Sequence, residues 1–171
     1  MELKLILGII SIISILFAFI FRKQLAKLKK YGYLGIFIIS IIGNIAVFSP
    51  AAPFAAALGG HLFNPWIASL ITTIGAVIGE LASYFIGSAS ELFIPDSMWI
   101  NQLHYYMEIN GALTVFIISL IPNPFFDVIG IAAGASGFPL WKFIIFSFLG
   151  KWIKFTLFSL AGHGFKHAFI K

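Results

Sequence analysis

The stretch SPAAPFAAALGGHLFNPW, residues 49–66, interrupts an apolar region that extends from residue 31 to residue 63. Proline removes a backbone donor and breaks a helix, and paired glycines allow a tight turn. In a bilayer, such a break is tolerated only where it packs against protein or lines a wet cavity. The stretch therefore predicts a helix, a break and a short return, which together make a re-entrant hairpin. The predicted breaks are at Pro50, Pro53, Gly59 and Gly60.

A second stretch, IPNPFFDVIGIAAGASGFPLW at residues 121–141, has the same character. Its breaks are predicted at Pro122, Asn123, Pro124 and Gly134. Matching landmarks of the two halves stand 74 or 75 residues apart: Pro50 and Pro124, Gly60 and Gly134, Pro65 and Pro139, Trp66 and Trp141, Gly75 and Gly150, Gly87 and Gly162. These matches, all at breaks or helix ends, indicate a duplication. Paired interrupted segments in two halves are typical of a transporter site.

The composition of this 171-residue chain suits a bilayer rather than water. Hydrophobic residues make up 60% of it and charged residues only 10%, against about 25% charged residues in an ordinary soluble domain. A soluble domain of this size cannot hide so much apolar surface, because its surface-to-volume ratio is too high. The chain has no cysteine, which excludes disulfides, thiolate zinc sites and iron–sulfur clusters.

The order of apolar and polar segments divides the chain into residues 1–30 and 31–171. The first part holds an apolar helix at 5–21, interpreted as an uncleaved transmembrane helix because no cleavage site follows, and a basic loop at 22–30. The second part is divided into repeat 1 at 31–87, a linker at 88–110, repeat 2 at 111–162 and a basic tail at 163–171. The predicted fold is all-α integral membrane: two inverted repeats, each a proline-broken re-entrant hairpin followed by a transmembrane helix, plus the N-terminal transmembrane helix.

Charge distribution predicts the orientation of this fold. Five of the eleven Lys and Arg residues lie in the segment 22–30, and the tail is also basic. The linker segment 88–110 carries acids without Lys or Arg. By the positive-inside rule both basic segments are cytoplasmic, so the N-terminus and the linker are outside and the C-terminus is cytoplasmic. We expect a prokaryotic cytoplasmic membrane. If the helices before each break instead span fully, the linker is cytoplasmic, which its composition does not favour.

Glu80 lies well inside the predicted helix of residues 65–87. A charge at the centre of a bilayer costs about 2.5–3.5 kcal/mol on insertion scales, so it is normally paired, protonated or in a wet cavity. Small and polar residues share its helical face: Ser69, Thr72, Thr73, Ala76, Gly79, Ser83 and Gly87. Such a face packs against protein rather than lipid. Glu80 is therefore either a proton or substrate site, or a structural hydrogen-bond or ion-pair partner.

Lys151 and Lys154 lie one turn apart in the last predicted helix, on one face with Ser147. Lys154 follows Glu80 by 74 residues, which gives the two residues matching positions in the repeats. The hypothesis is an ion pair between Glu80 and Lys154 or Lys151. The alternative is that both lysines extend to the cytoplasmic interface.

Asp127 follows the second proline break, among backbone groups that are partly free. It is either part of a polar site, where a broken helix presents its amides to an anion, or a helix N-cap. No nucleophile elbow, H-E-x-x-H or Walker motif occurs in the chain. We therefore expect no enzyme, no catalytic residue, no cofactor and no metal. No basic stripe alternates with exposed aromatic residues, which argues against a nucleic-acid partner despite the net charge of +5.

Two segments resemble the DedA/VTT superfamily, also called SNARE-associated Golgi protein domains, and in particular its small YqaA-like members. The stronger is IPNPFFDVIGIAAGASGFPLWKFIIFSFLGKWIKFTLFSLAG at residues 121–162. The weaker is GAVIGELASYFIG at residues 75–87, which is similar to the family segment G-x-x-x-G-[DE]-x-x-x-Y-x-x-G. The resemblance covers about residues 31–162. By position, Glu80 matches the family's acid in the glycine segment, and Asp127 matches an acid of this subgroup's second hairpin.

The resemblance implies two inverted re-entrant hairpins and a role in lipid transport. Relatives act as flippases of undecaprenyl phosphate or other lipids in bacteria and as phospholipid scramblases in eukaryotes, and for some the resemblance implies proton coupling through membrane acids. This chain departs from the pattern in two places. Ser119 stands where many members carry an arginine, and the first hairpin lacks the common glutamate. If those arginines bind lipid phosphate, Lys151 or Lys154 must substitute, or the substrate differs.

The expected function is a membrane lipid flippase or scramblase, for polyprenyl phosphate or phospholipid, with Glu80, Asp127, Lys151 and Lys154 as its substrate or proton site. The expected partners are membrane lipids with an anionic headgroup, and protons. Two alternatives stay open at this point. One is an ion- or proton-coupled transporter of small solutes, and the other is a membrane scaffold that transports nothing.

Overall fold

The computed structural model describes residues 30–45, 51–89, 98–121 and 128–169, and these ranges form six α-helices without a strand. The helices are α1 (Lys30–Ile45), α2 (Ala51–Leu62), α3 (Pro65–Ala89), α4 (Met98–Leu120), α5 (Val128–Ala135) and α6 (Leu140–Phe169). Within the described ranges, the predicted all-α class is confirmed. By length and composition, two helical segments could cross a membrane, Pro65–Ala89 and Leu140–Gly164.

Several predicted features lie outside the described residues. They are the N-terminal helix at residues 5–21, the breaks at Pro50, Pro122, Asn123 and Pro124, and the acid Asp127. These features stay predictions. Pro53, by contrast, is described and lies in the first turn of α2, where a proline removes no intrahelical hydrogen bond.

The start of α3 is fixed by Asn64 and Pro65, as the sequence predicts. The Asn64 Oδ1 accepts hydrogen bonds from the backbone N–H groups of Trp66, at 3.0 Å, and Ile67, at 3.3 Å. These are two of the amides that a helix start leaves without a partner, so Asn64 acts as the N-cap. Pro65 occupies the first helical position, where its missing N–H is not needed.

The structure corrects the prediction that Gly59, Gly60 and Gly134 are breaks, because all three lie inside helices. The absence of a side chain allows close packing here instead of a turn. A Cβ atom on Gly60 would overlap the backbone oxygen of Ser159 in α6. A Cβ atom on Gly134 would likewise overlap the backbone oxygen of Tyr84 in α3. Each short helix therefore touches the backbone of a long helix from the other half of the chain.

Glycines of the long helices make the reciprocal contacts. Gly162 of α6 packs against the backbone of Ala57 in α2, and Gly87 of α3 packs against the backbone of Ile131 in α5. As a result, α2 is joined to α6 and α5 is joined to α3 through glycines on both partners. Each half of the chain therefore packs its short helix on the long helix of the other half.

The other close contacts of the long helices are at Gly75 in α3 and Gly150 in α6. A Cβ atom on Gly75 would lie 2.9 Å from the Ser40 Cβ of α1, and one on Gly150 would lie 2.9 Å from the Ser119 Cβ of α4. The long helix of each half therefore packs closely on the first helix of the same half. Both glycines therefore serve close packing between helices.

The segment predicted as a linker, residues 88–110, is helical from Met98 and forms the first part of α4. This helix has a kink at Asn110, whose φ and ψ are −156° and 78°. The Asn110 Oδ1 accepts a hydrogen bond from the Leu113 N–H at 3.1 Å, which caps the second segment. The Thr114 Oγ1 lies 3.0 Å from the backbone oxygen of Tyr106 and 2.9 Å from that of Asn110, across the kink. The side chains at 105 and 106 are exposed tyrosines, as expected for a membrane interface.

The turn between α5 and α6 is a Schellman motif. Gly137 adopts a positive φ of 64°, and the N–H of Phe138 donates to the backbone oxygen of Ala133 at 2.9 Å. The Tyr84 hydroxyl of α3 donates to the backbone oxygen of Phe138 at 2.5 Å, which anchors the turn. Helix α6 then extends to Phe169, so the segment predicted as a tail from residue 163 continues as helix.

Candidate functional site

Glu80 is fully buried in the middle of α3, and so is the whole small and polar face that the sequence predicts for it. The other members of this face are Ser69, Thr72, Thr73, Ala76, Gly79, Ser83 and Gly87, and each is buried. The outer face of α3 carries large exposed apolar side chains instead, among them Ile74 and Ile78. The predicted packing of this helix, with its polar face toward protein, is confirmed.

Glu80 forms a buried ion pair with Lys151 of α6. The Lys151 Nζ lies 3.1 Å from the Glu80 Oε2, and both side chains are 1% exposed. The Ser147 hydroxyl, one turn earlier in α6, donates to the same carboxylate oxygen at 2.5 Å. The sequence predicts Lys154 or Lys151 as the partner of Glu80, and the structure shows an ion pair with Lys151. The hydrogen bond from the Ser147 hydroxyl further stabilises this buried ion pair.

Helix α1 contributes Asn44 to the same cluster, and sequence reasoning missed this residue. The Asn44 Oδ1 accepts a hydrogen bond from the Lys151 Nζ at 3.3 Å. Its own Nδ2 donates to the backbone oxygen of Ser40 at 2.9 Å. A signal was present, since Asn44 is an amide within the apolar run IIGNIAVF just before a proline break. We use the name charged centre for Glu80, Lys151, Ser147 and Asn44.

Lys154 lies one turn beyond Lys151 and is also buried, at 1% exposed. Its Nζ is 5.3 Å from the ring centroid of Phe155, within the range of a cation–π contact. The alternative that the two lysines extend to the membrane interface is wrong, because both side chains are enclosed by neighbouring helices. The side chains of two lysines and one glutamate thus share the buried face between α3 and α6.

Three buried oxygen atoms near these helices have no hydrogen-bond partner among the described residues. They are the Glu80 Oε1, the Thr72 Oγ1 and the Ser119 Oγ. A buried polar atom without a partner costs free energy. The second carboxylate oxygen of Glu80 can therefore accept a further donor, and the hydroxyl of Thr72 can either donate or accept. No group of three His, Asp or Glu side chains able to hold a metal ion occurs in the described ranges.

The fold and the charged centre together define an all-helical protein with ionisable groups enclosed between its long helices. Residues 49–164 match the sequence model of the VTT domain, which is more than half of the chain. The chain belongs to this family, the DedA or SNARE-associated Golgi protein family. It is a membrane protein.

Two plant proteins are similar to this chain over part of their length. The vacuole membrane protein KMS2 of Arabidopsis thaliana is 27% identical over 126 residues, which is 61% of this chain and 29% of that protein. The vacuole membrane protein KMS1 of the same plant is 27% identical over 105 residues, 48% of this chain and 25% of that protein. The chain thus spans less than a third of the length of either relative. No solved structure matches it.

Proposed function

We propose that this protein moves lipids with an anionic headgroup, a polyprenyl phosphate or a phospholipid, from one leaflet of a membrane to the other. The observation that carries the proposal is the buried ion pair between Glu80 and Lys151, with Lys154 one turn away. Apolar residues of similar volume would stabilise the same helix contact at least as well as a buried ion pair. Ionisable groups enclosed within a membrane domain are typical of substrate and proton pathways.

The chemistry of the charged centre fits an anionic headgroup. A phosphate oxygen can bind the ammonium groups of Lys151 and Lys154, which are compact charges with three donors each. Glu80 competes with the phosphate for Lys151. When the phosphate takes this lysine, Glu80 loses its counter-charge. Proton coupling through Glu80, with Asp127 as the predicted second acid, follows from this competition.

We further propose that residues 31–87 and 111–162 are inverted repeats with re-entrant hairpins, preceded by a separate segment at residues 1–30. The reciprocal glycine contacts support this arrangement, because α2 packs on α6 as α5 packs on α3. Gly75 and Gly150 make equivalent contacts at a spacing of 75 residues. At that spacing, Glu80 corresponds to Phe155 rather than to Lys154. The charged centre then has no copy in the other repeat, so the two halves of the site differ chemically.

The proposed orientation follows the charge distribution, with the N-terminus and linker outside and the C-terminus in the cytoplasm of a prokaryotic cell. The exposed apolar side chains of α3 and α6 face the lipid tails in this arrangement, while the headgroup passes along their buried polar face. In α6 the exposed residues include Leu149, Ile153 and Leu157. A path of this kind keeps the lipid tails in the bilayer throughout.

A flip assay with purified protein in liposomes tests the proposal. Fluorescent phosphatidylglycerol in phosphatidylcholine vesicles should exchange between leaflets faster with protein than without it. Glu80→Gln and Lys154→Ala should each slow this exchange about tenfold or more, because a charge-assisted hydrogen bond contributes about 1.5–3 kcal/mol. Lys142→Ala is the matched control, since Lys142 lies on the same helix outside the site, 5.4 Å from the ring of Trp141.

The same vesicles discriminate between the remaining interpretations. If Glu80→Gln and Lys154→Ala flip lipid as fast as the unmodified protein, the site is wrong. If lipid exchange does not exceed that of empty vesicles, lipid transport is wrong. Flux of an entrapped solute without lipid exchange would instead favour a solute transporter. Mass spectrometry of the recovered lipid should detect no chemical change, as expected for a protein that is not an enzyme.

A further inference from the structure

We propose that Asn44 is a positioning residue that couples the α1–α2 hairpin to the charged centre. Its amide oxygen holds Lys151 when no headgroup is bound and releases it when a headgroup takes this lysine. The inference rests on the proposed lipid transport. It gives α1 a role in transport that follows neither from the family match nor from the ion pair between Glu80 and Lys151.

Asn44 is held in a fixed orientation by its own helix and by α3. Its Nδ2 donates to the Ser40 backbone oxygen at 2.9 Å, which leaves Oδ1 directed at Lys151. A Cβ atom on Gly79 of α3 would lie 2.9 Å from the Asn44 Cβ, so the two backbones are in close contact. Asn44 is 7% exposed. The amide is therefore preorganised to accept a hydrogen bond from Lys151, and a small movement of α1 would break that bond.

Lys151 reaches from α6 to partners on two other helices. Its Nζ lies 3.1 Å from the carboxylate of Glu80 on α3 and 3.3 Å from the amide oxygen of Asn44 on α1. A hydrogen bond to a neutral amide is weaker than one to a carboxylate. When Lys151 turns toward a phosphate oxygen, the contact with Asn44 is therefore the first to break.

Breaking this contact has a consequence for α1, because Asn44 lies in the last turn of the helix, just before the connection to α2. The hydrogen bond that Asn44 accepts from Lys151 joins an α1 side chain to α6. The Ser40 hydroxyl, one turn earlier, bonds within α1 to the Ile36 backbone oxygen at 2.7 Å. Headgroup binding at Lys151 would thus loosen the end of α1 from α6, and the hairpin would respond to occupancy of the site.

The test uses the full chain in nanodiscs of phosphatidylcholine, with or without phosphatidylglycerol. Hydrogen–deuterium exchange of the peptides from α1 and α2 is measured for the unmodified protein, Asn44→Leu, Asn44→Asp and Ser40→Ala. Leucine keeps the volume without an acceptor, and aspartate keeps the acceptor and adds a charge that binds Lys151 more strongly. Ser40→Ala is the control, because it removes a buried hydrogen bond that does not reach Lys151.

We expect phosphatidylglycerol to speed exchange in the unmodified protein and in Ser40→Ala. Asn44→Leu should exchange fast, and Asn44→Asp slowly, in both lipid compositions. Both Asn44 variants should slow lipid flipping in liposomes, Asn44→Leu by about fivefold, the equivalent of one hydrogen bond to a neutral acceptor. A residue with only a structural role would instead give faster exchange in both Asn44 variants.

The outcomes separate this inference from the proposed function. If the unmodified protein flips lipid and Asn44→Leu flips it as fast as Ser40→Ala, Asn44 has no coupling role and the proposed function stands. The same conclusion follows if Asn44→Leu and Asn44→Asp change exchange in the same direction. If the unmodified protein flips no lipid, the proposed function fails and the coupling role fails with it.

Discussion

Glu80 and Lys151 illustrate what a single buried charge requires of its surroundings. The carboxylate is enclosed on all sides, and one of its oxygens receives both an ammonium and the Ser147 hydroxyl. Neither charged group could be buried alone, since an unpaired ion in a medium of low dielectric constant is strongly destabilised. Each charge therefore depends on the other. The effects of removing them on the free energy of unfolding should be strongly non-additive.

This non-additivity gives a prediction at the residue scale. Lys151→Met leaves the Glu80 carboxylate buried without its counter-charge and should lower the free energy of unfolding by about 3–5 kcal/mol. The double variant Glu80→Leu with Lys151→Met removes both charges and should recover most of that loss. Thermal unfolding in detergent measures both effects, with Lys142→Met as the control lysine. A double variant as unstable as the sum of its single variants would contradict a coupled pair.

At the scale of helices, contact depends on positions without side chains. Gly60 and Gly134 meet the backbones of Ser159 and Tyr84, so the short helices approach the long ones as closely as a backbone allows. Such contacts suit a membrane, where the hydrophobic effect does not hold helices together and packing must do so. Glycine has a low helix propensity, yet it is retained here within helices because no other residue fits.

The prediction at this scale concerns these glycines. Gly60→Ala and Gly134→Ala each place a methyl group against backbone atoms that cannot move aside, so each should destabilise the protein by about 1–3 kcal/mol or more. Gly164→Ala is the matched control, because a Cβ atom at Gly164 in α6 meets nothing within 4 Å. That change should be neutral or slightly stabilising, as expected from helix propensity. Equal melting temperatures for all three variants would show that the close contacts are not required.

At the scale of the whole molecule, the two halves share their packing but differ in chemistry. The interior near α1 and the second part of α6 contains the ion pair, the amide of Asn44 and the hydroxyl pair of Ser69 and Thr156, whose oxygens are 3.2 Å apart. Apart from the hydroxyl of Ser119, the interior near α4 and α5 is mainly apolar. It contains the buried side chains of Tyr84, Met107, Val115, Ile129, Ala133 and Phe143. Among the described residues, the buried basic side chains that could bind an anionic ligand, Lys151 and Lys154, lie in the first of these interiors.

The orientation of the molecule in the membrane can be tested because the chain contains no cysteine. A single cysteine at Gln102, which is exposed in the linker, should react with a membrane-impermeant thiol reagent added outside intact cells. A cysteine at Gly164, exposed near the end of α6, should react only after permeabilisation. The reason is the basic composition of the tail and the acidic composition of the linker. Reaction of Gln102→Cys only after permeabilisation would contradict the inverted arrangement.

The sequence by itself determined the class of protein, the family and the buried face of α3. Hydrophobicity and a helical period of 3.6 residues are local properties, so they can be read without knowing which helices meet. They placed Glu80, Thr72 and Gly79 on one protein-facing side, and the structure agrees. The motif at residues 121–162 likewise identified the family that the comparison confirms.

Only the tertiary structure decided which groups meet inside the molecule. The choice of Lys151 over Lys154 as the contact of Glu80 depends on the rotation of α6 against α3. The contribution of Asn44 depends on α1 lying beside both helices. The sequence predicts Gly60 and Gly134 as breaks because a glycine in a sequence indicates flexibility as readily as close packing. The physical reason is that these contacts join residues 50 or more positions apart, and a local pattern carries no information about such distances.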